Sequence, residues 1–85
     1  MSEADKLFKD LVYEKIIDND REITYRYKRY ELDEWLEDFI TFKKKYKLFA
    51  KYYEDSNDIQ YSELCSMQEL KAINLKCKEL GWSDE

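Results

Sequence analysis

The 85-residue sequence contains no histidine, no proline, one glycine and two cysteines. Without histidine the chain lacks the commonest general acid–base group and metal ligand, which excludes Ser-His-Asp and Cys-His catalysis and most zinc sites. The single glycine excludes a phosphate-binding loop and a dinucleotide fingerprint. Cys65 and Cys77 do not form a Cys-x-x-Cys spacing, so they indicate no thiolate metal site. The sequence therefore predicts a protein that is not an enzyme and binds no cofactor.

Acidic residues are plentiful, but their pattern does not indicate a catalytic or metal site. None of the 20 aspartate and glutamate residues stands out as a catalytic pair, and solvated faces account for them. The segment DSND at 55–58 supplies oxygen ligands, yet it lacks the glycine and the distal glutamate of a calcium loop. We therefore predict no metal site.

The sequence also has no apolar run of membrane-spanning length. Its first residues, MSEADKLFKD, lack the basic start and apolar stretch of a secretory signal. We expect a cytoplasmic protein in which Cys65 and Cys77 are reduced core thiols.

What the sequence does contain is enough apolar and aromatic side chain for one folded domain over residues 1–85. Aromatic residues make up 16 % of the chain, whereas disordered chains are poor in them. Charged residues make up 41 %, which predicts a strongly charged surface around a modest core.

Apolar periodicity predicts the order of the elements. Ser2 caps an amphipathic helix over residues 3–15, and EITYRYKRY at 22–30 alternates as a strand with one buried face. Residues 31–37 fit either a helix or a strand, and 38–43 is interpreted as a strand. KKKYK at 43–47 is a hairpin turn, KLFAKYY at 47–53 is a strand, and IQY at 59–61 is a short edge strand.

The stretch SMQELKAINLKCKELGW at 66–82 closes the chain as a capped helix. Ser66 and Glu69 form a capping box, Leu70, Ile73, Cys77 and Leu80 form one apolar stripe, and Gly81 is a left-handed stop. The stripe is expected to cover one face of the sheet. The fold class is then α+β: an N-terminal helix, a three- to four-stranded antiparallel meander, and a C-terminal helix packed on the sheet.

This closing segment resembles that of a group of small phage and prophage proteins of low-GC Gram-positive bacteria. ADKLFKDLVYEKI at 4–16 is similar to the opening helix of the same group. In that group a glycine often precedes the tyrosine of the first segment, where this chain has Val12 before Tyr13, and the departure suggests a slightly longer first helix. The resemblance implies a shared fold and a phage origin, and it implies no particular activity.

Charge is unevenly distributed along the chain. Residues 26–53 carry eight basic and five acidic side chains, whereas both ends are acidic and the whole chain has a net charge of −5. The basic residues of the middle segment alternate with tyrosines. One sheet face could therefore bind single-stranded nucleic acid, with the basic side chains neutralising phosphates and the tyrosine rings stacking on bases. The alternative is that the tyrosines are half-buried and the lysines keep edges soluble. The basic residues are Arg26, Lys28, Arg29, Lys43, Lys44, Lys45, Lys47 and Lys51.

The acidic ends suggest a second binding surface, for a basic groove on a host protein. Its candidate residues are Glu63, Glu69, Glu79, Asp84 and Glu85, with Asp5, Asp10 and Glu14 from the first segment and with Leu75, which lies off the apolar stripe. Together with the resemblance to phage proteins, small size, absent catalytic groups and segregated charge favour an accessory protein that binds a host or phage protein. Inhibition of a host defence or nucleic-acid-processing system, of the anti-CRISPR kind, is one form of this function.

Oligomeric state stays open between monomer and homodimer. A third hypothesis, a self-assembling structural protein, rests on Leu75 and Trp82 as contacts between copies.

Overall fold

The computed structural model describes residues 2–82 of the chain. These residues form two helices and five strands in the order α1 (Glu3–Asp10), β1 (Glu14–Asp18), β2 (Glu22–Glu31), β3 (Glu34–Lys43), β4 (Leu48–Glu54), β5 (Gln60–Ser62) and α2 (Met67–Glu79). No helix within the described residues is long and apolar enough to cross a membrane.

The five strands form one antiparallel sheet in sequence order, a simple meander. α2 packs on this sheet, and so the predicted α+β class is confirmed. The predicted number of strands, three to four, is too small because β1 is not predicted: the predicted helix includes its first two residues, and its last three were not recognised as a strand.

The core lies between the helices and one face of the sheet. Phe8 of α1 stacks on Tyr25 of β2 with ring centroids 4.0 Å apart, and Phe42 of β3 meets both rings edge-on. Ile40 and Ile73 are fully buried in the same cluster. Because α1 and α2 cover only the half of the sheet around these residues, the far half of the β2–β3 hairpin extends beyond them.

α1 ends at Asp10, five residues earlier than the predicted end at 15. Val12 adopts a left-handed φ of 63°, and Tyr13 N donates to Phe8 O over 2.9 Å while Val12 N donates to Lys9 O over 2.9 Å. These two bonds form a Schellman stop, with Val12 at the position that glycine usually occupies. The expectation that Val12 lengthens the helix is therefore wrong.

Residues 31–37, which the sequence left open, belong to the β2–β3 hairpin. The apolar spacing is helix-like because both faces of β3 carry apolar side chains. Leu36 and Ile40 are buried on the face toward the helices, whereas Trp35 and Phe39 lie on the opposite face. A strand with two apolar faces thus imitates a period of 3.6 residues.

α2 begins and ends as predicted. Both halves of the capping box are present, since Ser66 Oγ accepts from Glu69 N and Glu69 Oε1 accepts from Ser66 N. Gly81 has φ 77°, and Trp82 N donates to Cys77 O over 2.9 Å. The inward face also includes Lys76, which is buried although the predicted stripe did not contain it.

Candidate protein-binding surface

The tip of the β2–β3 hairpin carries the most exposed large apolar side chain of the described chain, Leu32. Glu31 pairs with Glu34, leaving a two-residue turn in which Leu32 has φ 51° and Asp33 has φ 63°. Two left-handed residues define a type I′ turn, which normally takes Asn-Gly. Leu32 is 92 % exposed, so its side chain gains no burial that offsets the strained backbone.

Two aromatic side chains stand directly beside Leu32. Tyr30 and Trp35 are cross-strand neighbours whose rings meet edge-on at 5.3 Å, and they are 57 % and 59 % exposed. We call Tyr30, Leu32 and Trp35 the hairpin tip. Such a rigid group of aromatic and aliphatic side chains is typical of the anchors that dominate protein–protein binding energy.

Arg29 holds the base of the hairpin tip in place from the other face of the sheet. Its guanidinium donates to Glu31 over 2.8 Å, to Asp38 over 3.2 Å and to Glu63 over 3.2 Å, and it lies 5.3 Å from the centre of the Tyr53 ring. Burial raises the pKa of Asp38, while the nearby Arg29 charge opposes that increase. The fixed geometry of the guanidinium thus joins β2, β3 and the segment after β5.

An acidic loop flanks the hairpin tip. Glu34 Oε1 accepts from Ser56 Oγ over 2.8 Å, which ties the β4–β5 loop to the start of β3. A cleft of about 440 Å³ lies beside this contact, and its lining residues are Lys28, Trp35, Glu37, Asp55, Ser56 and Asp58. The surroundings of the tip are therefore rich in carboxylates, with Lys28 as the cation on the cleft wall.

The structure uses the predicted acidic residues for contacts within the chain. Glu63 pairs with Arg29, and Glu79 accepts from Ala4 N over 3.0 Å. Glu69 accepts from Tyr13 Oη over 2.7 Å and from Lys51 Nζ over 3.0 Å. Burial opposes ionisation of Glu69, but these bonds and its capping bond outweigh it and lower its pKa. The carboxylates of Glu63, Glu69 and Glu79 therefore make contacts within the chain that stabilise the fold.

The other members of the predicted acidic surface are not brought into one patch either. Leu75 is half-buried, and Asp5 faces inward, where it binds Tyr25, Lys76 and Lys15. Asp10 is exposed on α1, and Glu14 pairs with Arg26 at the start of β1. Asp84 and Glu85 lie outside the described residues.

The predicted basic residues do not share one sheet face. Strand alternation places Arg26 and Lys28 on the face away from the helices, and Arg29 and Lys51 on the helix face. Five of the eight are paired with carboxylates: Arg26 and Lys28 with Glu37, Arg29 with Glu31, Asp38 and Glu63, Lys43 with Glu22, and Lys51 with Glu69. Tyr25 and Tyr27 face the helices, so they are unavailable for stacking on bases.

Lys44, Lys45 and Lys47, which we call the lysine turn, are different. No ion pair involves them within residues 2–82. They connect β3 to β4 at the end of the sheet opposite the hairpin tip, beside an exposed Tyr46 and a cleft of about 720 Å³. The sequence predicted these lysines as a binding group, but it did not predict their separation from the other cations.

The thiols and carboxylates form no metal site in the described part of the chain. Cys65 and Cys77 are both free, and burial raises the pKa of each thiol. Cys65 is exposed, so the expectation that it is a core thiol is wrong. No three cysteine or acidic side chains among residues 2–82 are grouped to hold a metal ion.

No protein-family model matches this chain, and no curated protein or solved structure is significantly similar to it. The function therefore has to follow from the geometry of the chain itself. At the hairpin tip, the fold explains neither the exposure of Leu32 nor its left-handed backbone.

Proposed function

We propose that this chain is a non-enzymatic phage or prophage accessory protein that acts by binding another protein through the hairpin tip. The supporting observation is Leu32, an almost fully exposed leucine in a left-handed turn. A strained backbone that is not offset by packing within the chain is typical of a functional site, here one that contacts another molecule. Inhibition of a host defence or nucleic-acid-processing system is the form of this function that we propose.

The chemistry of the tip indicates the kind of partner surface. Leu32 and Trp35 need an apolar pocket, and the carboxylates of Glu31 and Glu34 beside them favour a pocket with a basic rim. Nucleic-acid-processing enzymes have basic grooves, because phosphates must bind there. The tip would block such a groove by shape and charge, with no reaction of its own.

The test is an affinity capture from a nuclease-treated lysate of a low-GC Gram-positive bacterium, read by mass spectrometry. The baits are the wild type, Leu32→Asn and Asp33→Gly. Both substitutions suit a left-handed turn and are not expected to lower the free energy of unfolding, but only Leu32→Asn removes the apolar anchor. A stoichiometric partner should be retained by the wild type and Asp33→Gly and lost by Leu32→Asn.

The captured enzyme is then assayed with each bait. Inhibition by the wild type that weakens on the order of tenfold in Leu32→Asn supports the proposal. Equal capture by all three baits, or no stoichiometric protein at all, overturns it.

Single-stranded nucleic-acid binding is the second candidate function. The observation that favours it is the lysine turn, where Lys45 Nζ lies 5.3 Å from the centre of the exposed Tyr46 ring. Such binding would weaken steeply with salt. Replacing Lys43, Lys44 and Lys45 by glutamate should abolish it, and unchanged binding to a single-stranded oligonucleotide would rule this candidate out.

A further inference from the structure

Within residues 2–82, the outer edge of β4 is open next to the lysine turn. β5 pairs with Tyr52, Tyr53 and Glu54 of β4 and with no earlier residue of that strand. The start of β4, from Leu48 to Lys51, is therefore the outermost backbone on this side of the sheet.

The direction of the free backbone groups follows from the register. Asp55 N donates to Ile59 O as the β4–β5 hairpin closes, and bonding positions alternate along a strand. Tyr53, Lys51 and Phe49 therefore direct their N–H and C=O groups toward the outer edge. Since β5 ends at Ser62, opposite Tyr52, it does not reach Lys51 or Phe49.

Apolar side chains accompany this edge on both faces. Leu48 is 58 % exposed on the face away from the helices, and Phe49 is 47 % exposed on the helix face. Phe49 meets the core at Phe42, with ring centroids 6.2 Å apart.

The opposite edge of the sheet is protected in a way that the β4 edge is not. β1 carries a bulge between Lys15 and Ile17, which disrupts pairing with a further strand. The β3–β4 register is regular from Lys43 to Glu37, so no bulge interrupts the pairing of β4. The charge of Lys51 does not oppose pairing at this edge, because its ammonium donates to Glu69 and to Leu64 O.

We propose that the start of β4 binds an extended, acidic segment of a partner protein as an additional β-strand. The backbone of Phe49 and Lys51 would pair with the segment, Leu48 and Phe49 would contact its alternating apolar residues, and the lysine turn would attract its carboxylates. An extended peptide can pair with the free N–H and C=O groups and contact Leu48 and Phe49, whereas a nucleic acid engages only the lysines and Tyr46. This inference does not rest on the hairpin tip, which lies at the other end of the sheet.

The test is an NMR titration of the ¹⁵N-labelled protein with two short capped peptides, one alternating valine and glutamate, the other valine and lysine. The acidic peptide should shift the amide signals of Phe49 and Lys51 and slow their hydrogen exchange. The basic peptide should bind on the order of tenfold more weakly. Leu32→Asn should bind the acidic peptide like the wild type, which keeps this result separate from the hairpin-tip proposal.

Three variants identify the groups responsible. Phe49→Pro removes the outward N–H together with the ring, and Phe49→Ala is its matched control because it removes only the ring. Phe49→Pro should bind less tightly than Phe49→Ala. Replacing Lys44, Lys45 and Lys47 by glutamate touches no core residue and should weaken binding on the order of tenfold.

Three results would overturn the inference. The first is equal binding of both peptides, or shifts confined to other parts of the sheet. The second is displacement of the peptide by oligothymidylate with larger shifts at the lysine turn, which would make nucleic acid the occupant. The third is concentration-dependent broadening of the Phe49 and Lys51 signals without peptide, which would make a second copy of this chain the occupant.

Discussion

At the scale of single residues, the scarcity of glycine shapes this molecule. Within residues 2–82, five residues other than glycine adopt positive φ: Val12, Leu32, Asp33, Lys47 and Asp58. Aspartate tolerates the left-handed region, but a β-branched residue there is a genuine outlier. Val12 and Leu32 are both exposed, so neither gains burial that offsets the strain. For Leu32 we have proposed a binding role, whereas no contact in the structure explains Val12.

Val12→Gly is therefore expected to stabilise the protein. Glycine fits the left-handed stop of α1 without a Cβ clash, and the exposed valine side chain contributes little packing. We expect the free energy of unfolding to rise by about 1 kcal/mol, after allowance for the greater entropy of glycine in the unfolded chain. Urea denaturation should show a higher midpoint with an unchanged slope. Val12→Ala keeps the Cβ and should gain less; a less stable Val12→Gly would mean that the stop is not strained.

At the scale of elements, the β2–β3 hairpin has two halves with different support. Its near half, around Tyr25 and Ile40, is covered by the helices and is fully buried. In the described chain its far half, from Arg29 to the turn, lies outside the core cluster that the helices cover, and the Arg29 ion pairs and the Tyr53 ring support it. The free energy of local opening should therefore be higher in the near half of the hairpin than in the far half.

Native-state hydrogen exchange should show this gradient directly. The amides of Tyr25 and Ile40 should exchange only through global unfolding, while those of Glu31 and Glu34 should exchange through local opening. Arg29→Lys keeps the charge but loses the planar fork, and it should lower the opening free energy of the far half by about 1 kcal/mol. The near half should be unaffected by Arg29→Lys. Uniform protection along the hairpin would show that the tip is not independent of the helix layer.

At the scale of the whole molecule, one cluster of charges joins the helices to the sheet. Asp5 of α1 accepts from Tyr25 Oη of β2 over 2.5 Å, pairs with Lys76 of α2 over 3.1 Å and with Lys15 of β1 over 3.2 Å. Burial opposes ionisation of Asp5, but the hydrogen bonds from Tyr25, Lys76 and Lys15 outweigh it and lower its pKa from 3.8 to about 2. Four elements therefore depend on one ionised carboxylate.

Acid should weaken the fold through this carboxylate. Because the pKa of Asp5 is lower in the folded state than in the unfolded chain, the stability it contributes is complete above about pH 4 and is lost as the pH falls toward 2. Asp5→Asn should lower the free energy of unfolding at pH 7 by about 2 kcal/mol and leave a smaller loss between pH 4 and pH 2. Thermal unfolding across this range measures both effects.

Asp10→Asn on the same helix is the matched control, because Asp10 is exposed and should change stability little. If Asp5→Asn shows the same decrease in stability below pH 4 as the wild type, other carboxylates carry the acid sensitivity.

The shape of the molecule separates its two proposed binding surfaces. The described chain measures 44 × 25 × 21 Å, and its long axis is set by two ten-residue strands, β2 and β3. The carboxylate-rich hairpin tip lies at one end of β3 and the lysine turn at the other. Two partners bound at the two proposed surfaces would therefore not overlap.

The sequence determined the features that depend on neighbours along the chain. The capping box of Ser66 and Glu69, the stop at Gly81, the alternating strand β2 and the turn at 43–47 are local, since propensity and hydrogen bonding within a few residues decide them. These features sufficed for the α+β class. They also identified the lysine turn as a group of cations, because consecutive lysines in a turn stay together in any fold.

Only the tertiary structure decided what depends on contacts between distant residues. Whether Glu63, Glu69 and Glu79 face solvent or their own chain depends on where Arg29, Lys51 and Ala4 are placed. The end of α1 at Asp10 follows from Tyr13 entering the core, and β1 forms because β2 provides a partner for its exposed residues. The sequence did not predict the hairpin tip, because a strand with apolar side chains on both faces has a helix-like apolar pattern. Only the pairing of β3 with β2 and β4 shows which side chains share a face.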